Sequence, residues 1–196
     1  MQIYYTPDAG IEADSLAAFE SFLHTLYPSA SDNATGIASD IVKECLELLN
    51  EPDKSKAMAA TKVLACFIRT SPLLGSYALA QALPHLFKMF NEPSLPSHRG
   101  PILAAIASLL FAARGVYGIG AGRSQIEEMS LTPFREPLLD VLREGLRTEG
   151  LKSSGVRGAV ALIEIPMFLD KGEVEAVVEG INAILVEEDD SALRYV

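Results

Sequence analysis

Residues 115 to 123 read GVYGIGAGR, with Gly115, Gly118, Gly120 and Gly122 crowded ahead of Arg123. Glycines spaced this closely can cradle a phosphate, because bare backbone N–H groups approach an anion without a Cβ in the way. The surrounding pattern lacks the other parts of that chemistry. A dinucleotide fingerprint is GxGxxG directly after a strand and at the start of a helix, and a P-loop needs Gly-Lys-Ser/Thr. Here the glycines follow a helical pattern, their spacing is GxGxG, and Gly122 is followed by Arg123-Ser124. The stretch reads as a joint between helices that begins with a glycine helix stop at Gly115.

The other reactive residues are scattered. His24, His85 and His98 fall on three different segments, and none has a cysteine or carboxylate at metal-ligand spacing. Cys45 and Cys66 each lie in a helical pattern among apolar neighbours, with no CxxC or Cys/His arrangement suited to zinc. They read as two buried free thiols, which fits a reducing compartment. Glu164 is the one acid in ALIEIP. A buried carboxylate there could act as a general base with a raised pKa; the plainer expectation is that it faces solvent or the next repeat. Glu187-Glu188-Asp189-Asp190 lacks the alternating ligands and glycine of a calcium loop, and reads as a solvated turn leading into a helix N-terminus. No serine has a GxSxG setting. These residues assign no catalytic, cofactor or metal site.

The bulk composition narrows the partners. The chain has 196 residues, 26 acidic against 16 basic, for a net charge of −10. Nucleic-acid binding ordinarily needs a basic excess to neutralise phosphates, so direct DNA or RNA binding is not expected. Anionic membrane surfaces are disfavoured on the same ground. Met1–Gly10 carries Asp8 and no apolar core of a signal peptide. The apolar stretch Ile102–Ala113 is shorter than the ~20 residues a span requires, and Arg114 follows it, so a core helix is expected.

The elements that must position these residues are helices. MQIYYTPDAG reads as extended, with Pro-Asp-Ala-Gly as a stop. Beyond it, apolar residues recur at i, i+3, i+4 and i+7. The stripes are Leu16, Phe19, Leu23, Leu26; Ile41, Cys45, Leu48, Leu49; Ala57, Ala60, Leu64, Phe67, Ile68; and Phe134, Leu138, Leu142, Leu146. Val174, Val177, Val178, Ile181, Ile184 and Leu185 form the most regular stripe. Ser71-Pro72 and Thr132-Pro133 place a capping side chain before a first-turn proline, and Asp170 with Glu173 has the spacing of a capping box. Asp40, Lys43, Glu44 and Glu47 fall on the polar face of their helix, which is expected to stay exposed. The fold class is all-α, with eight or so helices in antiparallel pairs.

A repeat underlies the pairs. DKSKAMAATKVLACF, SHRGPILAAIASLLF, SSGVRGAVALIEI and DDSALRYV each begin with polar residues and include a basic residue, Lys56, Arg99, Arg157 and Arg194 respectively. Their separations are 43, 58 and 37 residues. Two of these lie at or near the 40–47-residue period of HEAT and armadillo repeats, and the long one exceeds it by roughly 15. Gly115–Leu131 accounts for that excess as an inserted loop. The expected architecture is therefore one α-solenoid segment over 1–196, with about four HEAT-like helix pairs. Because Ser191–Val196 reads as the first turn of a further helix, the chain is expected to be part of a longer array.

IVKECLELLNEPDKSKAMAATKVLACFIRTSP and YALAQALPHLFKMF resemble repeats of the large HEAT-repeat adaptor family of cytosolic iron–sulfur protein assembly, first described through methyl methanesulfonate sensitivity, nucleotide excision repair and transcription. FREPLLDVLREGL and VRGAVALIEIP resemble repeats that follow in that family. The resemblance runs over about Ile41–Val196. It implies a non-enzymatic scaffold that holds no cluster or other cofactor. Such a scaffold bridges the cluster-delivery complex and client apoproteins of DNA repair, replication and transcription, in cytoplasm and nucleus. Family members are several times longer, and the carboxy-terminal repeats associated with docking to the delivery complex are not expected in this segment, so the resemblance implies a client-binding or structural role for it. It assigns no individual site residues. Other readings stay open: a HEAT or armadillo scaffold of nuclear-transport or phosphatase type, an all-α enzyme with a site near Glu164 or Gly118–Gly122, and a helical membrane-associated protein.

Overall fold

Helical periodicity and helix punctuation dominate the chain, and a computed structural model resolves the result into a two-layer all-α solenoid. The structure describes residues 7–26, 34–70, 72–117 and 131–193. These form eight α-helices: α1 (Pro7–Leu26), α2 (Ala34–Leu49), α3 (Ser55–Thr70), α4 (Pro72–Asn91), α5 (Arg99–Tyr117), α6 (Arg135–Arg147), α7 (Lys152–Ile163) and α8 (Lys171–Leu193). Two 3-10 turns, Pro96–His98 and Thr132–Phe134, lead into α5 and α6. No strand occurs among the described residues.

Odd and even helices separate into layers. In one layer α3 packs between α1 and α5, and α5 packs in turn against α7. In the other, α2 meets α4, α4 meets α6 and α6 meets α8. The odd layer is the tighter, and its sequence explains why. Its facing surfaces carry Ala57, Ala60 and Ala65 on α3, Ala105, Ala107, Ala112 and Ala113 on α5, and Gly155, Gly158, Ala159 and Ala161 on α7. Small residues let helix axes approach, while Leu64, Ile68, Leu103, Ile106 and Leu110 fill the space between layers. The even layer is looser, with a cleft of about 260 Å³ between α4 and α6.

At α5, α6 and α7 the backbones come closest. A Cβ built on Gly155 would lie 2.8 Å from the Gly145 carbonyl carbon and 3.0 Å from the Leu146 nitrogen. At Gly145 and Gly158 the nearest atoms, both at 2.6 Å, are leucine methyls of Leu103 and Leu142. Methyls can rotate away; a backbone cannot, so Gly155 carries the tighter constraint.

Arginines brace the helices. Arg69 pairs with Glu20 of α1, Arg99 with Glu144 of α6, and Arg114 with Glu164 at the end of α7. Arg99 also donates to the Phe90 carbonyl at 3.2 Å and lies over the Phe90 ring, so it closes the end of α4 as well. The expected capping box at α8 forms: Glu173 N donates to Asp170 Oδ1 at 2.9 Å, and Asp170 N to Glu173 Oε2 at 2.8 Å. Arg135 of α6 grips both carboxylates. Solvent screens such pairs, so their main effect is on register.

Several sequence expectations change. Pro7–Gly10 open α1 instead of stopping a strand, because proline is well suited to a first helical turn; residues 1–6 lie outside the described residues. Gly115 does not end its helix, which continues through Tyr117, since glycine weakens a helix only modestly and Val116 still packs on the core. Residues 118–130, most of the glycine stretch, lie outside the described residues. Thr132 makes no cap, because Thr132–Phe134 winds as a 3-10 turn after Leu131. The acidic run is not a turn: α8 continues through it to Leu193 with no glycine or proline to stop it. DDSALRYV therefore starts no new helix, and the start of that layer's repeat is set by Ser55, Arg99 and Lys152 alone. In α8, Val177 and Ile184 are buried while Val178 and Leu185 stay exposed. Ser71 and Arg194 are outside the described residues. Pro96–Val116 is long and apolar enough to cross a membrane by length and composition, yet half of its most apolar window is buried among α3, α4 and α7. The polar face Asp40, Lys43, Glu44, Glu47 is exposed, as its spacing requires.

Gly155→Ala is expected to lower stability by on the order of 1 kcal/mol or more, overpacking outweighing the helix preference of alanine. Gly115→Ala, with nothing within 4 Å of its Cβ, is expected to gain up to ~1 kcal/mol. Urea midpoints at unchanged slope read both. Equal stabilisation by the two would contradict the close approach of α6 and α7.

Candidate partner-binding groove

The tight layer leaves a large concavity on its outer side. A groove of about 540 Å³ runs between α3 and α5, closed by Leu16 of α1 at one side and Arg157 of α7 at the other. Its floor is small or apolar: Ala57, Ala65, Ile102, Ala104, Ala105. The alanines that bring α3 and α5 together also leave no bulk to fill the space above them. Met58 and Phe111 form its exposed apolar edges, 62% and 48% accessible. From Met58 to Arg69 the α3 wall is ~16 Å long, about three turns of helix.

The polar groups of the groove are committed downward. Thr61 Oγ1 donates to the Ala57 carbonyl at 2.9 Å, and Ser108 Oγ to the Ala104 carbonyl at 2.8 Å. The floor thus offers no convergent hydrogen-bonding set of the kind that fixes a polar substrate. Charge sits at the rim, on Lys62, Arg69, Arg157 and Asp53, with Arg69 held by Glu20 of α1. Arg114, paired with Glu164, stacks 3.9 Å over the Phe111 ring at the groove's edge.

The sequence candidates do not gather here into a reactive site. Glu164 is exposed and bound to Arg114, which gives it a bracing role and not that of a buried base. His24 is exposed on α1. His98 lies 3.8 Å from Asp53, a pair that sequence spacing did not show because the two residues sit on different connections. His85 Nε2 is buried with no hydrogen-bond partner among the described residues, and burial, then Lys88, holds its imidazole below the ordinary range. Among the described residues no group of three His, Cys, Asp or Glu side chains could hold a metal ion. Sequence reasoning missed the groove altogether. The signal available was the run of small residues in KAMAATKVLA opposite PILAAIAS.

No protein-family model matches the chain. Among curated proteins it is similar to the MMS19 nucleotide excision repair protein homologs of Bos taurus, at 25% identity over 198 residues, Mus musculus, at 24% over 198, and Xenopus laevis, at 23% over 199. Each alignment covers 97% of this chain, so the resemblance seen in the repeats extends beyond Ile41–Val196 to nearly the whole sequence. The chain spans 19% of the length of these relatives.

Cys45 and Cys66 are buried free thiols. Burial, then Glu44, pushes Cys45 up to about 11, and burial, then Glu20, does the same for Cys66. An unfolded thiol ionises near 9.0. Between these values the unfolded state loses protons that the folded state keeps, so stability falls as pH rises from 9 to 11. Ellman's reagent at about pH 8 is expected to label neither thiol until denaturant is added. Rapid labelling of the native protein would contradict the burial.

Proposed function

We propose that the chain is a non-enzymatic protein-binding scaffold, a single solenoid segment of a longer array of HEAT-like pairs with an insertion near 115–131. The observation that carries this reading is an apolar groove, with no reactive constellation among the described residues, on a helical array similar to MMS19 homologs along nearly all its length. In such an array one face presents many weak contacts to a partner, and stacked pairs set their spacing. The relatives bear the name of a nucleotide excision repair protein. With the family resemblance, this supports an adaptor that links cytosolic iron–sulfur assembly machinery to client apoproteins of DNA repair, replication and transcription. On this reading it acts in cytoplasm and nucleus, binds proteins and not nucleic acid or membrane, and holds no cofactor itself.

Affinity purification of the tagged chain from its native host, read by mass spectrometry, tests the reading. Cluster-delivery proteins or iron–sulfur helicases and polymerases are expected among the specific partners. Recovery of transport cargo or phosphatase subunits in their place would leave a scaffold and remove the iron–sulfur role.

A further inference from the structure

We propose that Thr132 is a phosphorylation site for a proline-directed kinase, and that the phosphate loosens α8 from α6 by drawing Arg135 off the Asp170–Glu173 box. The inference concerns the even layer and does not depend on which partner the scaffold binds.

The motif comes first. Serine or threonine precedes proline at three places, Thr6-Pro7, Ser71-Pro72 and Thr132-Pro133. Only the last has a basic residue three positions after the acceptor, Arg135; Ala9 and Leu74 stand there in the other two. A kinase selects proline with a pocket that would leave a backbone N–H unsatisfied, a penalty that proline avoids. A basic residue at the third position adds a charge-assisted contact with the kinase.

The hydroxyl is available. Threonine at such a position ordinarily caps the helix that follows. Thr132 caps nothing: it sits inside the 3-10 turn and makes no hydrogen bond among the described residues. Thr132 and Pro133 are both exposed. The turn is held by two backbone bonds, Phe134 N to the Leu131 carbonyl at 2.8 Å and Arg135 N to the Thr132 carbonyl. Pro133 has no N–H to lose, and 3-10 bonds are poorly aligned, so the turn opens readily into a kinase cleft.

The surroundings give the phosphate an effect. Side chains at i and i+3 of a 3-10 turn eclipse, so Thr132 and Arg135 share one side. Arg135 already serves Asp170 and Glu173 of α8, and Glu136 adds a third nearby carboxylate. Its Nε is buried with no hydrogen-bond partner among the described residues, which leaves a donor unspent. A phosphate brings a charge of about −1.5 to −2 and three acceptor oxygens. It competes for the guanidinium as a bidentate partner and repels both carboxylates of the box. In the transfer, Thr132 Oγ1 attacks the γ-phosphorus of ATP, the bond from that phosphorus to the bridging oxygen breaks to leave ADP, and the hydroxyl proton passes to the kinase's catalytic carboxylate.

The test treats the full chain with ATP and a cyclin-dependent kinase, and maps the phosphate by tandem mass spectrometry. Thr132 of the folded chain is expected to be modified at least about tenfold faster than Thr6 or Ser71. Pro133→Ala is expected to abolish this with circular dichroism unchanged, because Pro133 is exposed. Hydrogen exchange at residues 174–178 is expected to quicken by about tenfold after phosphorylation. Arg135→Gln is expected to quicken the same amides without phosphate. Modification of a synthetic peptide of residues 129–139 with none on the folded chain would overturn the site. So would incorporation into Pro133→Ala at the unsubstituted rate. Unchanged exchange at the start of α8 after full phosphorylation would overturn the release of Arg135.

Discussion

The close approach of α5, α6 and α7 at Gly145, Gly155 and Gly158 is the constraint on which the structure turns. Without side chains at these positions the three helices meet nearly backbone to backbone, and Leu103, Ala107 and Leu142 occupy the space that Cβ atoms would have taken. That junction fixes α7 against α5. Because α5 also packs on α3 and α4, it fixes the direction in which the odd layer grows. The even layer, with larger side chains at its contacts and a cleft between α4 and α6, follows the spacing set by the odd one.

The same small-residue habit has a second consequence one helix pair earlier. Between α3 and α5 the alanines allow close packing at depth and leave an open trough above. Packing and surface shape therefore come from one sequence feature. Electrostatics adds register. Since acids outnumber bases, most bracing arginines are satisfied by carboxylates from neighbouring helices, and the pairs join helices that are far apart in sequence.

Much of this was legible from residue spacing. The α3 stripe and Leu138, Leu142 and Leu146 of α6 are buried as the i, i+3, i+4 pattern requires, because both helices have neighbours on that side, while Phe134, in the turn before α6, is half-buried. The Asp170–Glu173 box was readable because its bonds are local. Arg135's grip on the box was not, since it depends on how α6 meets α8. The α8 stripe was over-read: periodicity shows which residues share a face, and only a neighbouring helix decides whether Val178 and Leu185 are covered. Helix ends were hardest. Glycine at 115 and acids at 187–190 carry turn character, yet continuing hydrogen bonding carries α5 to Tyr117 and α8 to Leu193. The groove was invisible for a similar reason, as it needs two helices placed side by side with small residues in register.

The most direct test of the central claim is site-specific photo-crosslinking in the native host. A benzophenone amino acid would be placed at position 58 in the groove and, separately, at position 47 on the exposed face of α2. The account predicts partner adducts from position 58 and few from position 47. Adducts arising mainly from position 47 would contradict it, and would place the working surface of this solenoid on the even layer.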